Sequence, residues 1–335
     1  TWDDGSPTIG RIFSDLLVQR FGPARAESGE LGDHERDVAA SLQKRTEEIY
    51  LHMLERLHGR TGQGALCLAG GVALNAVANG RIRPETPFDE IYVQPAAGDS
   101  GTAVGAAYWV WNQELSEPRG FVMRHAYTGP QFSDAEIEQA VTAAGLEAER
   151  LSDEALFPAV AERIAAGEVV GWFQGRMEFG PRALGHRSIV ADPRRAEMKD
   201  VLNARIKHRE SFRPFAPSVL AERTSEFYDQ DYTSPFMVLV YKTLPGKRDA
   251  IPAVDHVDGT GRVQTVERDV SPRYYGLIEE FARQTGVPVV LNTSFNEDEP
   301  IVRTPAEALD TFLRTHMDVL VLGNHVVRRS GSAAG

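Results

Sequence analysis

Between residues 33 and 60 the apolar side chains Val38, Leu42, Ile49, Met53 and Leu57 recur at steps of four or seven, which places them on one face of a long helix. The pattern predicts a packing helix ended by Gly62 and Gly64. The short apolar run 65–69 then reads as a strand that turns through Gly70, Gly71, Val72, Ala73, Leu74 and Asn75 into a helix. A second strand at 91–94 enters a junction containing Pro95, Gly98, Asp99 and Gly101, and a small-residue helix over 102–111 is expected to pack closely on its neighbours. Periodicity lapses over 114–128, around Pro118 and Gly120 and just before Gly129 and Pro130, which places a domain linker there.

Beyond the linker, Ser133 followed by Glu136 is a capping box that opens a helix to about residue 144. A helix at 158–166, strands at 169–173 and 188–191, and a helix at 194–206 follow. Residues 215–220 and 236–244 read as strands, the second because Val238, Val240 and its flanking aromatics suit a pleated, half-buried surface. The amphipathic helix 274–284, a strand at 287–291, a helix from Thr304 and Pro305, and a strand at 319–322 complete an α/β chain, with 331–335 as a tail.

At 335 residues the chain is too long for one ordinary core and long enough for two, since domains run on the order of 100 to 200 residues. Hydrophobic residues at 42% and charged residues at 25% fit a soluble globular class, and no apolar run approaches the roughly 20 residues of a membrane span. A formal net charge of -12 argues against broad nucleic-acid binding, which depends on clustered Lys and Arg. The single cysteine, Cys67, excludes an internal disulfide framework and a thiolate-only metal cage, and a reducing cytoplasm is the economical location. The opening TWDDGSPTIG lacks a basic n-region and an apolar h-region, so it reads as the start of a fragment and not as a secretory signal.

Candidate chemistry gathers in a few stretches. Residues 175–193, GRMEFGPRALGHRSIVADP, interrupt an apolar neighbourhood with glycines, prolines and three arginines. Arg176, Arg182 and Arg187 offer planar forks suited to phosphate or carboxylate, so the segment reads either as an anion-binding loop or as a surface loop paired with nearby acids. The glycine junctions at Gly70 and Gly98 have the strand-turn-helix form that cradles phosphate, although such turns need glycine for steric reasons alone. Asp99 could cap a helix or face a cation. Lys207, His208, Arg209, Arg213 and Pro214 form a second basic run, Asp258-Gly259 makes a turn ahead of Arg262, Gln264 and Thr265, and Asn292 to Asn296 supply short polar groups at a strand end.

Taken in order, GGVALN, GDSGTAVGAA, GRMEFGPRALGHRSIVADP, FRPFAP, DGTGRVQT and LNTSFN resemble the carbamoyltransferase family that includes nodulation and antibiotic O-carbamoyltransferases, over roughly residues 60–330. The resemblance implies that residues 1–125 are the C-terminal lobe of an actin/sugar-kinase-like ATPase domain and that residues 126–330 are a YrdC-like α/β domain. In that family carbamoyl phosphate and ATP give carbamoyl-adenylate in the second domain, and the carbamoyl group passes to a substrate hydroxyl in the first. Carried onto this chain, the resemblance makes Gly70, Gly71 and Asn75 nucleotide-cleft residues and Asp99 a ligand of a divalent metal, Fe2+, with Mg2+ able to accompany the nucleotide. It makes Lys207, Arg262 and Arg182 catalytic, and Arg176, Arg187, Asn292 and Ser294 binding residues for carbamoyl phosphate and the adenylate. As loop cations, Arg182 and Lys207 are expected to add no more than ~1 kcal/mol to stability.

The implied acceptor is a small hydroxylated natural product, an antibiotic, macrolactam or sugar-like molecule. The family's N-terminal lobe, with its histidine pair, has no counterpart here, because His34 and His52 are not so spaced, and it is expected on a separate polypeptide or a preceding segment. Two other readings stand beside this one. Carbamoyl-adenylate synthesis for tRNA or hydrogenase maturation is disfavoured by motif order and, for the hydrogenase factors, by the lone cysteine; the other is a non-catalytic nucleotide-binding regulator.

Overall fold

A computed structural model of the chain describes residues 2–3, 6–7, 10–26 and 29–329, so the tail expected at 331–335 lies outside the described residues. The chain divides into two compact units, Thr1–Gly62 and Gln63–Gly335.

In the first unit, the two-residue strands β1 (Trp2–Asp3) and β2 (Ser6–Pro7) pair antiparallel and precede helices α1 (Asp15–Phe21) and α2 (Asp33–Thr61). Helix α2 ends where Gly62 takes a left-handed φ of 65° and returns its N–H to the His58 carbonyl. The packing face expected from the periodicity is turned outward. Leu42, Ile49, Met53 and Leu57 are exposed, whereas Glu47 and Leu54 are buried.

The second unit opens with parallel strands β3 (Ala65–Leu68) and β4 (Glu90–Val93). Between them come a 3-10 turn, Gly71–Leu74, and the short helices α3 (Ala76–Gly80) and α4 (Ile82–Glu85). Helix α5 (Thr102–Trp109) runs on into a π-turn at Val110–Glu114 and buries none of its residues, contrary to the close packing expected of its small side chains.

Helix α6 (Asp134–Ala143) carries the expected capping box, with the Ser133 N–H donating to the Glu136 carboxylate at 2.7 Å. The remaining elements are β5 (Ala148–Arg150), α7 (Asp153–Ala166), β6 (Val170–Phe173), β7 (Arg187–Ala191), α8 (Met198–Leu202), β8 (Ala216–Leu220), β9 (Leu239–Lys242), β10 (Thr260–Val266), α9 (Pro272–Thr285), β11 (Val289–Ser294), α10 (Pro305–Arg314), β12 (Val319–Leu322) and β13 (His325–Arg328). Of these, the sequence pattern misses β5 and β13, short strands in which charged residues break the alternation.

Nine strands form one sheet in the order β5-β13-β12-β6-β7-β11-β8-β10-β9, in which β12–β6 and β10–β8 are parallel and the other pairs antiparallel. Alternation along the strands divides their side chains between two cores. Trp172, Val190, Val319 and Val321 pack with Leu156, Val160, Leu277 and Phe281 from α7 and α9. Phe173, Ile189, Leu320 and Leu322 face the opposite way, with Ile137 and Val141 of α6 and Leu309 and Phe312 of α10. All four side chains of β12 are buried, and each contributes roughly 1.5–3 kcal/mol by leaving water. The central strand β11, between β7 and β8, therefore ends at a fixed position, and its last residues carry Asn292 and Ser294.

Candidate anion-binding site

The segment between β6 and β7 is a loop in which glycine is required. Gly180 has φ 138°, and a Cβ there would meet the Pro95 carbonyl oxygen at 2.9 Å; Gly185 has φ 99°, and a Cβ there would meet the Tyr274 ring at 2.1 Å. The backbone is held from inside by Glu178, whose Oε1 accepts the N–H groups of Leu184 at 2.6 Å, His186 at 2.9 Å and Arg187 at 3.3 Å. Held this way, the loop presents Arg182 to a cavity.

That cavity, about 110 Å³, is lined by Arg182 and Ala183 of the loop, Arg209, Phe215, Met237, Arg262 of β10, and Asn292 and Ser294 of β11, among others. No aspartate or glutamate is among its lining residues. The Nε atoms of Arg182 and Arg262 are buried and have no hydrogen-bond partner among the described residues. Burial, and then the charges of Arg182 and Arg209, push the Arg262 guanidinium down to about 9, which shows how unfavourable an uncompensated cation is there. Arg209 is steadied by Asn203 Oδ1 at 3.2 Å and the Pro214 carbonyl at 3.3 Å, and its guanidinium stands 4.4 Å over the Phe215 ring.

Asn292 supplies the opposite polarity. Its Nδ2 donates to the Ala183 carbonyl at 3.2 Å, Ser218 Oγ at 3.1 Å and Gln264 Oε1 at 2.9 Å, while its Oδ1 is buried without a partner among the described residues. Met237 lines the cavity and His208 immediately precedes its lining residue Arg209, and both have strained backbones. His208, directly after Lys207, and Met237 adopt φ values of 44° and 55°, a region that non-glycine residues reach at a cost of roughly 1–3 kcal/mol. A larger depression of about 520 Å³, between β3–β4 and residues 232–239, carries Glu90, Glu267 and Asp269 against Arg124 as its only cation. It is the wrong sign for an anion.

Of the residues singled out from the sequence, Arg182, Arg262, Asn292 and Ser294 are thus brought together. Lys207 stands behind them and is not exposed as expected. It is 4% exposed, and its Nζ donates to the Ser294 carbonyl at 2.7 Å and Oγ at 3.2 Å and to the Asn296 carbonyl at 2.7 Å and Oδ1 at 2.8 Å. Burial, and then the charge of Arg209, push its ammonium down to about 7, against an opposing pull from Glu299 and Asp298. Arg182 is partly buried as well, so neither residue is the exposed loop cation that the sequence suggested.

Arg187 is turned inward at 0% exposed; it donates to the carbonyls of Gln174, His186, Pro130 and Gly175 and lies 3.6 Å over the Phe173 ring. Arg176 is exposed and bonded to the Thr128 carbonyl at 2.8 Å. Neither lines the cavity.

The glycine junctions form a separate feature. The Gly70 N–H donates to the Ala97 carbonyl at 2.7 Å, which joins the two junctions, but the helix after Gly70 and Gly71 is the five-residue α3, capped by the Asn75 side chain. Asp99 is exposed, and among the described residues no group of three or more His, Cys, Asp or Glu could hold a metal ion. Sequence reasoning had Arg209 only as one cation in a basic run and Gln264 only as a residue after a turn, since its bond to the Leu184 carbonyl spans eighty positions, and it did not single out Glu178, whose backbone partners lie six to nine residues on in the same loop.

Residues 161–329 match the family described as carbamoyltransferase C-terminus, and residues 11–108 match carbamoyltransferase N-terminus. The chain belongs to the carbamoyltransferase family. The two family matches leave residues 109–160 between them, whereas compactness divides the chain after Gly62. Among curated relatives, this carbamoyltransferase chain is 45% identical over 94% of its length to nodulation protein NolNO of Sinorhizobium fredii, covering 48% of that protein. It is 44% identical over 93% of its length to nodulation protein NolO of Bradyrhizobium diazoefficiens, covering 59%. The chain spans about half the length of the curated relatives it matches. A looser likeness to full-length HypF in a phosphate- and nucleotide-bound form, TM-score 0.36 at 19% identity over 55% of this chain and 23% of the other, carries no argument. No helix among the described residues is long and apolar enough to cross a membrane.

Proposed function

We propose that the arginine cavity binds carbamoyl phosphate and that this chain is the activating part of an ATP-dependent O-carbamoyltransferase. The observation that carries the reading is a pair of cations, Arg182 and Arg262, with buried and unpartnered Nε groups, beside an orphan acceptor, Asn292 Oδ1, in a lining without carboxylates. Guanidinium forks match phosphoryl oxygens, and an amide oxygen matches the NH2 of a carbamoyl group. A ligand carrying an anion at one end and N–H donors at the other satisfies groups that each cost roughly 1–3 kcal/mol when left unmade.

In the reaction this reading entails, water displaces inorganic phosphate from carbamoyl phosphate to leave carbamate. A carbamate oxygen then attacks the α-phosphorus of ATP, pyrophosphate leaves, and the acceptor hydroxyl takes the carbamoyl group as AMP departs. Negative charge builds on phosphoryl oxygens in the first two steps, where Arg182, Arg209 and Arg262 stabilise it without moving a proton. Residues 126–330 then correspond to a YrdC-like activating domain, and residues 1–125 to part of an actin-like lobe that delivers the group to a small hydroxylated acceptor. Gly70, Gly71 and Asn75 would face nucleotide there. The described residues do not complete a metal site around the exposed Asp99, so no step is assigned to a metal.

Calorimetric titration with carbamoyl phosphate, acetyl phosphate and inorganic phosphate, together with pyrophosphate release from ATP, tests the reading. Carbamoyl phosphate is expected to bind about tenfold or more tighter than acetyl phosphate, which has no N–H to offer Asn292. Pyrophosphate is expected only when ATP and carbamoyl phosphate are both present. Equal binding of all three ligands without pyrophosphate would reduce the cavity to a generic anion site.

A further inference from the structure

We infer that Glu178 is a positioning residue for this cavity, a buried clamp that holds the backbone of residues 184–187 so that Arg182 is already aimed at the anion before it arrives. The inference rests on the reading of the cavity as a carbamoyl phosphate site. Three N–H groups from a stretch of four residues converge on one oxygen of Glu178, which is 7% exposed. Residues 183 and 184 are also held through their carbonyls. Asn292 Nδ2 donates to the Ala183 carbonyl at 3.2 Å, and Gln264 Nε2 and the Tyr127 hydroxyl donate to that of Leu184 at 2.7 and 2.8 Å.

Glu178 is itself immobilised by its neighbours: the Met177 N–H donates to the Pro130 carbonyl at 2.9 Å, and that of Phe179 to the Ala126 carbonyl at 2.7 Å. Arg182 follows Gly180 and Pro181, and Pro181 has no N–H with which to tie the chain just ahead of it. Its direction is therefore set by what holds the residues after it. A buried cation without a protein partner profits from such restraint, because the ordering cost is met on folding and not on binding.

The arrangement distinguishes an acceptor from a charge. All three bonds fall on Oε1, while Oε2 is buried without a partner among the described residues, so an amide at this position retains the clamp. The test is the Kd for carbamoyl phosphate, measured by titration calorimetry on the full chain alongside the melting temperature. Glu178→Ala is expected to weaken binding by about tenfold or more, in line with the cost of misplacing a binding group by an ångström, and Glu178→Gln to stay within about threefold of the wild type.

A folded Glu178→Ala variant with unchanged Kd overturns the clamp, as does a folded Glu178→Gln variant as weak as the alanine. If the alanine variant does not fold, Glu178→Asp decides, because a carboxylate one methylene shorter cannot reach all three N–H groups; unchanged binding there overturns the inference too. Arg262→Ala separates the two levels of the argument. Wild-type-like binding by that variant sinks the cavity reading and the clamp with it, whereas lost binding there with unchanged binding in Glu178→Asp sinks the clamp alone.

Discussion

Lys207 is joined to Ser294 by two hydrogen bonds from its Nζ, 2.7 Å to the carbonyl and 3.2 Å to Oγ, and so braces from behind the strand end whose face lines the anion cavity. Its ammonium is bonded to four oxygens of Ser294 and Asn296. Lys207→Met should retain the packing of the stem but strand those oxygens, costing about 3 kcal/mol. Urea denaturation reads this as a lowered midpoint at unchanged slope, and an unchanged midpoint would return Lys207 to the category of dispensable loop cation.

Arg262 should behave in the opposite sense. Its buried Nε has no partner, and its pKa is pushed down to about 9 by burial and by Arg182 and Arg209. Arg262→Met is expected to leave the melting temperature unchanged or raised, because an uncompensated cation is removed, while carbamoyl phosphate affinity falls by about a hundredfold with the loss of a guanidinium–phosphate pairing. A variant that both melts lower and binds normally would contradict the assignment.

Arg187 allows a test of shape against charge. Its guanidinium reaches the four carbonyls of Gln174, His186, Pro130 and Gly175 while lying over Phe173. An ammonium cannot serve that fan of acceptors or stack on the ring, so Arg187→Lys should cost about 2–4 kcal/mol despite conserving charge. Denaturant unfolding that shows less than ~1 kcal/mol of loss would mean that water replaces the missing donors at no penalty.

His186 makes stability depend on pH. Burial holds its imidazole below the ordinary 6.5, against an opposing pull from Glu178. Between 6.5 and the lower folded value the unfolded chain binds more protons, so the stabilisation is complete above about pH 6.5 and is lost as the pH falls below it. Melting temperatures from pH 7.5 to 5 should therefore drop more steeply for the wild type than for His186→Asn, whose amide can still donate to the Arg176 carbonyl as Nδ1 does at 2.7 Å. Parallel curves for the two proteins would exclude His186 as the source.

Much of the second unit was legible because its signals are local. The capping box at Ser133, the amphipathic α9, the helix start at Thr304 and Pro305, and the strand β12 depend on residues within a few positions of one another, and all lie close to where their patterns put them. The outward-facing α2 shows the limit of that reasoning. Its periodicity defines a stripe on the helix, but whether the stripe is covered depends on what else the unit contains.

The sequence by itself determined the family, the glycine and arginine content of the β6–β7 loop, and the polar groups waiting at the end of β11. Tertiary structure alone decided which arginines are free. Arg182 and Arg187 lie five residues apart in one loop, and composition treats them alike. The fold gives Arg187 four backbone carbonyls and an aromatic ring, and leaves Arg182 facing Arg262, a residue eighty positions away on β10. A cation's availability is set by the acceptors within about 3 Å of it, and those come from segments that only the assembled sheet brings together.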